Sequence, residues 1–493
     1  MRRAAPLLMF VGFLSGCSAR PTASAQAAPD ASEKQPNVIL IVLDTLRAEQ
    51  LSCYGYARQT SPNLDAFAAG ATRYARALNA SPWTLPSHAS LFTGLYPFEH
   101  GAHSFPIETK IPKNAYPLDE RHETLTEALA AEGYQTAAFV CNVGYLGPWT
   151  RMDQGFELYR CRSEYVEEQL PRVLEWVERE AKAPFFLFLN WMDTHRPYNT
   201  RPRPGFIDPP APHERREQKP KLVQRLANTV MRDGQPAPEA LRQRVVDQYD
   251  TAIANQDEQL GRLFDRLRAL ALFEDAVILV TSDHGEYFGE HFLVEHSKDV
   301  YQEALWAPLI IKGPGQREGA VDETLVSSVD LPDLILRRLP KPLASRLAPK
   351  FPYKAGQHAL ISENYYSRTK DLFNPRYGDR FKRVRTALFE WPYKYIRSSD
   401  GKHELYDLGA DPREADNLFA SQPERAAAMA RRLEAFEASR PRASGQHKDE
   451  SAPTPAELQE LEALGYVGGA GDDGEEEAAP EEEPRRPKEP DRP

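Results

Sequence analysis

The sequence predicts an α/β fold: a doubly wound mixed sheet, followed by a smaller C-terminal subdomain built on an antiparallel sheet. Short apolar runs alternate with amphipathic helices over roughly 300 residues, which is the pattern of a sheet covered by helices on both faces. After residue 340 the pattern changes to short strand-like runs that follow one another directly. The 493 residues are long enough for both units.

The first unit, residues 37–340, contains apolar runs that predict buried parallel strands at Val38–Leu43, Thr136–Val140, Phe185–Leu189, Ala276–Thr281 and Leu309–Ile311. Apolar residues at helical spacing predict helices over Glu167–Lys182 and Arg242–Leu270. Pro171 is expected in the first turn of the earlier helix, where proline is tolerated. The stretch 201–238 is rich in proline and charge and predicts a long insertion near the site.

The second unit, residues 341–440, is an α+β subdomain. Its apolar runs predict an antiparallel sheet from Ala359–Ser362, Phe381–Phe389 and Lys394–Arg397. A helix is expected over Pro423–Ala438. Residues 441–493 form a tail that is acidic from Gly471 and has too few apolar residues to order itself over most of its length.

The N-terminus predicts export. Two arginines precede a short apolar run, and LSGC follows it, so residues 1–17 are interpreted as a signal peptide whose end resembles a bacterial lipobox with acylated Cys17. The alternative is an ordinary signal peptide with an incidental cysteine. Residues 18–36 are rich in Ala, Ser and Pro and predict a flexible tether. Ser18 after the cysteine favours the outer membrane over the inner one.

The composition limits the classes of binding partner that are expected. The net charge is −11, and no basic face is evident, which argues against nucleic acid. Membrane contact is expected through the N-terminal lipid anchor only. With Cys17 acylated, three cysteines remain, and an exported chain permits a disulfide between Cys141 and Cys161.

Polar residues follow three of the predicted strands. Asp44 follows the first run, Asp193 and His195 follow the third, and Asp283 and His284 follow the fourth. In an open α/β sheet, ligands bind beyond the carboxyl ends of the strands. A single aspartate there is usually a turn or cap residue, but three such ends together favour a functional site.

The segment SPWTLPSHASLFTGLYP, residues 81–97, resembles the active-site signature of the sulfatases. That signature has Cys or Ser, any residue, then Pro-Ser-Arg and a short helix ending in Thr-Gly. Alignment places Thr84 at the nucleophile position and His88 at the arginine position. The alignment is anchored on Pro86, Ser87, Thr93 and Gly94.

Further segments extend the resemblance over residues 36–469. VILIVLDTLRAEQLSCYGY and SDHGEYFGEH resemble the two metal-binding strands of the family, and 391–418 resembles its C-terminal subdomain. LQELEALGYVGG, residues 458–469, resembles its terminal element. The chain is therefore identified as a sulfatase-like member of the alkaline phosphatase superfamily, with that fold expected.

The resemblance implies a metal-dependent ester hydrolase or transferase with an unusual nucleophile. Sulfatases oxidise Cys or Ser to formylglycine, but the extra methyl on the Cβ of Thr84 prevents that oxidation from giving an aldehyde. Threonine here is typical of phosphodiesterases and of phosphoglycerol or phosphoethanolamine transferases in the superfamily. The implied ligands of one divalent ion are Asp44, the Thr84 oxygen, Asp283 and His284, and the imidazole favours manganese or zinc, with calcium a third option.

The resemblance also implies catalytic roles for several basic residues. His195 matches the histidine that contacts the substrate anion and assists the leaving group; the alternative is a structural histidine. Lys298 and His296 both lie near the family lysine, and either can take its place. His88 can contact Thr84 or the substrate, or simply pack its helix. The Lys and His that hold sulfate in the family are absent near 143–145, where Asn142 offers one hydrogen bond.

Three hypotheses follow. The first is a hydrolase or transferase acting on a phosphoric ester, either a small molecule or an envelope polymer. The second is a sulfuric ester hydrolase of the arylsulfatase type. The third is a catalytically silent, lipid-anchored binding protein, and the joint presence of Asp44, Thr84, His195, Asp283 and His284 argues against it.

Overall fold

The computed structural model describes residues 34–104, 115–198, 201–206, 220–365, 369–372 and 374–443. The predicted signal peptide with Cys17, the tether up to residue 33, the terminal element 458–469 and the acidic tail lie outside these residues and stay predictions. The described residues from Gln35 onward form one compact unit.

The strands and helices are numbered here in chain order. The strands are β1 Val38–Leu43, β2 Thr72–Leu78, β3 Gln135–Val140, β4 Leu158–Cys161, β5 Phe185–Trp191, β6 Val277–Thr281, β7 Tyr287–Phe288, β8 Val294–Glu295, β9 Trp306–Ala307, β10 Leu309–Lys312, β11 Ala320–Ser327, β12 Leu360–Tyr365, β13 Val384–Glu390, β14 Tyr393–Ser398 and β15 Glu404–Asp407. The helices are α1 Pro62–Ala68, α2 Thr84–Thr93, α3 Pro97–His100, α4 Leu125–Ala131, α5 Val166–Arg179, α6 Pro220–Ala227, α7 Glu239–Ala269, α8 Gln302–Leu305, α9 Leu331–Leu336, α10 Lys341–Leu347, α11 Thr369–Leu372 and α12 Pro423–Ala438.

The large sheet has the order β11-β2-β10-β6-β1-β5-β3-β4, with β9 paired to β2. Strands β6, β1, β5, β3 and β4 are parallel. Strand β10 is antiparallel to both of its neighbours, β6 and β2, so β2 runs in the same direction as β6. The carboxyl ends of β1, β2, β3, β5 and β6 therefore meet at one edge.

Both faces of the sheet are covered, which confirms the doubly wound α/β prediction. Alternate side chains of a strand point to opposite faces. Ile39, Ile41 and Leu43 of β1 pack into a core shared with α5 and α7. Val38, Leu40 and Val42 pack into a second core shared with α2, α4 and α9.

The smaller antiparallel sheet, β12-β13-β14-β15, confirms the predicted second subdomain. Helix α12 has the predicted bounds and buries Met429 and Leu433 against Leu388, Tyr395 and Leu405 of this sheet.

Several local expectations were wrong. The run at Leu309 is an antiparallel strand, because the chain turns back between β6 and β10. Pro171 lies inside α5 rather than in its first turn, because the helix begins at Val166. The predicted disulfide is not formed: Cys141 and Cys161 are not bonded to each other, although β3, which Cys141 follows, pairs with β4, which ends at Cys161. The predicted 201–238 insertion is not one of these wrong expectations, and its described residues include α6 and a π-helical turn at Asn228–Arg232. Across the described ranges, no helix has the length and apolarity needed to span a bilayer.

Candidate active site and metal centre

The expected site forms at the shared carboxyl edge of the large sheet. Asp44 follows β1, Asp283 and His284 follow β6, and Thr84 is the first residue of α2, which follows β2. Single carboxylate or imidazole atoms of Asp44, Asp283 and His284 all lie within 4.8 Å of one another. The Thr84 Oγ1 atom lies 3.3 Å from His284 Nε2. The structure therefore brings together all four residues expected to bind a metal ion.

The protonation of His284 suits it to bind a cation. Its Nδ1 donates a hydrogen bond to the carbonyl of Gly285 at 3.1 Å, so Nε2 faces the two aspartates. Burial lowers the pKa of His284, which keeps the imidazole neutral. Neutral imidazole with its second nitrogen bonded to a carbonyl is the usual form of a histidine metal ligand.

The two aspartates are buried, and within the described part of the chain each has one carboxyl oxygen without a hydrogen-bond donor. Burial raises the pKa of Asp44 to about 7, and the neighbouring Asp283 adds to this shift. Burial also raises the pKa of Asp283 to about 7. Among the described residues, nothing donates a hydrogen bond to Asp44 Oδ1 or Asp283 Oδ2. Buried oxygen atoms that accept no hydrogen bond cost free energy. A divalent cation bound to these oxygens would offset that cost, so the residues fit a metal site.

Asn142 connects the nucleophile to this cluster. Its Nδ2 group donates to Asp44 Oδ2 at 2.9 Å and to Thr84 Oγ1 at 3.3 Å. The backbone N–H of Asn142 donates to Asn190 Oδ1 at 3.0 Å, which fixes the residue just beyond β3. Sequence reasoning assigned Asn142 one hydrogen bond only, and its position after β3 was the signal for its wider role.

The start of α2 orients Thr84. Trp83 caps the helix in an extended conformation, so the first free N–H groups of α2 lie beside the Thr84 side chain. Ser87 Oγ donates to the backbone carbonyl of Asp283 at 2.6 Å and ties the helix to the end of β6. This arrangement holds the hydroxyl oxygen against the acidic cluster, at a helix end that favours an anion.

His88 is a buried packing residue that also touches the cluster. Its Nδ1 donates to the Thr84 backbone carbonyl at 2.9 Å and lies 3.6 Å from Asp283 Oδ2. The ring meets Phe188 edge to face. Burial lowers the pKa of His88 to about 3, so the ring is neutral.

His195 and His296 lie together beside His284. The ring centroids of His296 and His284 are 4.5 Å apart, and those of His296 and His195 are 5.0 Å apart. His195 Nδ1 donates to the Arg196 carbonyl at 2.8 Å. Burial lowers the pKa of His195 to about 3.

Lys298 has a different environment. Its Nζ atom lies 3.4 Å from carboxylate oxygens of both Glu295 and Asp371, and it donates to the His296 carbonyl at 3.2 Å. The side chain is buried. Its positive charge is thus neutralised by two carboxylates.

Glu286 was missed by the sequence reasoning. Its carboxylate is fully buried, and Oε1 lies 3.1 Å from His296 Nδ1. The signal was available, because Glu286 follows two residues after His284 in the run DHGE.

A mixed sheet with this buried Asp/Asp/His cluster and a hydroxyl at a helix N-terminus defines an ester hydrolase of the alkaline phosphatase superfamily. Within that class the chain belongs to the sulfatase family, since the Sulfatase family model matches residues 36–340.

Individual relatives include more than one ester chemistry. The chain is 25% identical over 434 residues to an ulvan-active sulfatase of Formosa agariphila, covering 78% of this chain and 77% of the relative. It is 26% identical over 480 residues to PehA, a multifunctional alkaline phosphatase superfamily protein of Trinickia caryophylli, covering 78% and 91%. The phosphonate monoester hydrolase of Agrobacterium radiobacter shares the fold, with a TM-score of 0.63, 21% identity and coverage of 82% and 96%.

Proposed function

We propose that this protein is a metal-dependent hydrolase or transferase that uses Thr84 as its nucleophile and acts on a phosphoric ester. The observation that carries the proposal is the position of Thr84 Oγ1, 3.3 Å from both His284 Nε2 and Asn142 Nδ2, at the start of α2. A hydroxyl held at this point, beside a cluster that fits a divalent ion, is placed for attack on a tetrahedral ester.

Phosphoric ester is favoured because the sulfatase-specific groups are replaced. Thr84 cannot become formylglycine, and the neutral ring of His88 stands where the family arginine is expected. Asn142 stands near the position where a lysine and a histidine contact sulfate in the family. Without these cations, fewer side chains offset the negative charge of an ester anion, and a bound metal ion would offset more of it.

Asp44, Asp283, His284 and the Thr84 oxygen are the residues that would hold the metal, with manganese or zinc preferred for the imidazole-containing set. A divalent ion in this position lowers the pKa of a hydroxyl and offsets negative charge on the ester oxygens. The unsatisfied oxygens of the two aspartates support this assignment.

The chemistry has two halves. Thr84 Oγ loses its proton and forms a bond to phosphorus while the bond to the ester oxygen breaks, and the departing alcohol takes up a proton. Water or an acceptor alcohol then loses a proton and attacks the phosphorus, the bond between Thr84 Oγ and phosphorus breaks, and Oγ takes up a proton again. Asn142 Nδ2 keeps the nucleophile in place throughout, because it is itself fixed by Asn190.

His195 and His296 are assigned the role of contacting the ester oxygens. Their rings lie next to each other and next to His284, whereas the charge of Lys298 is neutralised by Glu295 and Asp371. Lys298 is therefore assigned to holding the 295–298 segment. The neutral ring of His195 can accept a proton, and an ester anion nearby would raise its pKa.

Sulfuric ester hydrolysis is the second candidate. Several relatives are sulfatases by name, which supports this candidate; they include the ulvan-active sulfatase and an N-acetylglucosamine-6-O-sulfatase of Bacteroides thetaiotaomicron. Those names also support a saccharide polymer or its fragments as the alcohol component of the ester.

The test is a turnover screen with manganese, zinc or calcium added. An aryl sulfate, a phosphate monoester, a phosphodiester and a phosphonate ester are compared for the wild type and for Thr84→Ala. We expect phosphoester turnover that falls at least about 1000-fold in Thr84→Ala, as for removal of other nucleophiles. Mass spectrometry of the wild type after a turnover burst should find a phosphate on the peptide containing Thr84.

Thr93→Ala is the matched control, since this buried threonine of the same helix bonds to nearby backbone: its Oγ1 donates to the Ala89 carbonyl at 2.6 Å and accepts from the Leu95 N–H at 3.3 Å. It should retain wild-type turnover. Sulfate turnover that survives in Thr84→Ala would overturn the nucleophile assignment, and turnover of aryl sulfate alone would establish the second candidate.

The location is proposed from residues 1–36: an exported protein, anchored by lipid on Cys17 and held in the outer membrane or facing the periplasm. An anchor of this kind places the enzyme beside envelope esters. Metabolic labelling with a radioactive fatty acid should mark the wild type and spare Cys17→Ala. Equal labelling of both would contradict the proposal.

A further inference from the structure

The segment that carries His296 is fixed directly against the loop before the nucleophile. The Ser297 N–H donates to the Pro82 carbonyl at 3.0 Å, two residues before Thr84. Glu295 and Ser297, on either side of His296, have positive φ angles of 66° and 59°. Non-glycine residues in this conformation cost free energy and cluster at functional sites. We therefore interpret the backbone at His296 as held in one defined conformation by its surroundings.

The ring of His296 is held separately, through Glu286. The Oε1 atom of Glu286 lies 3.1 Å from His296 Nδ1, and both side chains are buried. Arg47 donates to the backbone carbonyl of Glu286 at 2.9 Å and to the carboxylate of Glu290 at 3.0 Å, and Arg196 and Lys298 both pair with Glu295. These three cations thus pair with other carboxylates, and Oε1 of Glu286 faces the His296 imidazole.

We propose that Glu286 is a positioning residue, whose buried carboxyl group binds the Nδ1 edge of His296 and so aims the Nε2 edge at an oxygen of the ester. A carboxyl group bonded to one imidazole nitrogen fixes the ring orientation and determines which nitrogen meets the substrate. The inference rests on the proposed function only for the role of the ester; the orientation of the ring stands without it.

The position of the pair matches this role. The His296 ring lies between the rings of His195 and His284, with centroid distances of 5.0 Å and 4.5 Å. A rotation of the His296 ring would change its contact with both neighbours. Glu286 itself lies behind His296, at the start of β7, and acts through that ring.

The first measurement reads the ring directly and needs no turnover. Selective ¹⁵N-histidine labelling resolves the two ring nitrogens of His296, assigned by their loss in His296→Ala. We expect Glu286→Leu to shift the Nδ1 resonance strongly, and Glu286→Gln, which keeps an acceptor oxygen, to shift it less. Glu290→Gln, a carboxylate of the same segment bonded to Arg47, should leave it in place. An unchanged Nδ1 resonance in Glu286→Leu would overturn the proposal.

The second measurement is a double-mutant cycle on the most active ester. Glu286→Leu should lower kcat about 10- to 100-fold, the range for residues that orient a functional ligand, with KM nearly unchanged. Glu286→Gln should recover part of the loss. In the His296→Ala background, Glu286→Leu should cost less than about twofold, because residues that act as a unit are not additive. The same loss in both backgrounds would show a merely structural Glu286.

The two measurements separate the inferences. If Thr84→Ala leaves turnover unchanged, the proposed function fails while the resonance of His296 still tests Glu286. Thermal melting of each variant identifies any that fails to fold, and Glu286→Gln, which preserves shape, then gives the deciding result.

Discussion

At the scale of single residues, Asn142 connects two groups that chemistry requires to act together. One amide group donates to both the Asp44 carboxylate and the Thr84 hydroxyl. Its Oδ1 atom accepts from the Tyr145 N–H at 3.0 Å, which sets the amide orientation. Because an amide has two N–H donors, both contacts can be made at once.

Asn142→Asp keeps the shape and the Tyr145 contact but replaces both donors with acceptors. We expect turnover to fall at least about 100-fold, as for loss of one preorganised donor, since a third carboxylate now faces Asp44 and the nucleophile is released. The control is Asn364→Asp, a buried asparagine of β12 in the other sheet. Turnover of Asn142→Asp within threefold of wild type, measured at saturating manganese, would contradict this role.

Which residues the sequence could predict depends on their distance from a regular element. Asp44, Asp283 and His284 directly follow strands, so their meeting was predictable from the sheet edge alone. His296 and Lys298 could not be separated, because the positive φ angles at Glu295 and Ser297 turn the chain between them. No residue type in that segment signals such a turn.

At the scale of elements, the segment after β6 that carries Asp283 and His284 packs closely against α8. The Gly285 N–H donates to the Ala304 carbonyl at 2.8 Å. A Cβ atom at Gly285 would lie 1.9 Å from the Glu303 carbonyl oxygen and 3.2 Å from Arg47 Cγ. Backbone therefore packs on backbone immediately after His284.

Gly285→Ala should displace α8 or the end of β6, and both movements disturb His284. We expect a loss of at least about 2 kcal/mol in the free energy of unfolding, typical of severe overpacking, together with lost turnover. Gly313→Ala is the control, because its added Cβ meets nothing closer than 3.7 Å. Chemical denaturation of both variants measures the difference; equal stability would show that the contact relaxes freely.

Element predictions succeeded where periodicity was strong and failed where neighbours decided the outcome. The long α7 and the amphipathic α12 were predictable from their own residues. The direction of β10 was not, because an apolar run of three residues, Leu309–Ile311, is equally compatible with parallel and antiparallel pairing. Strand β2 carries Arg73 and Arg76 and lacks an apolar run, so it escaped prediction.

At the scale of the whole molecule, two sheets were predictable from the change in pattern near residue 340, whereas the strand order was not. That order makes β1 central and sets β2 parallel to β6 through an intervening antiparallel strand. Only this pairing brings Thr84 to the edge that Asp44 and Asp283 occupy. Pairings between distant segments leave no periodic trace in one sequence, so the place of Thr84 in the site had to be inferred by resemblance.

The molecule also buries an unusual set of carboxyl groups, and this sets the pH dependence of its stability. Burial raises the pKa of each member of the set, to about 7 for Asp44, Asp193, Asp283 and Glu363 and to about 8 for Glu286. The unfolded chain releases these protons near pH 4. Above about pH 6.5, where histidines of the unfolded chain are also largely neutral, the metal-free folded state therefore binds more protons than the unfolded state, and its stability falls as the pH rises towards about 8.

Calorimetry of the metal-free protein should thus find a lower Tm at about pH 8 than at about pH 6.5. Manganese or zinc should raise Tm more at the higher pH, because the cation binds the deprotonated forms of Asp44 and Asp283 in place of protons. Asp44→Asn combined with Asp283→Asn should remove most of the metal-dependent gain and lessen the fall in Tm with pH. A metal-induced gain that is larger at about pH 6.5 than at about pH 8, or unchanged in the double variant, would show that the cation binds elsewhere.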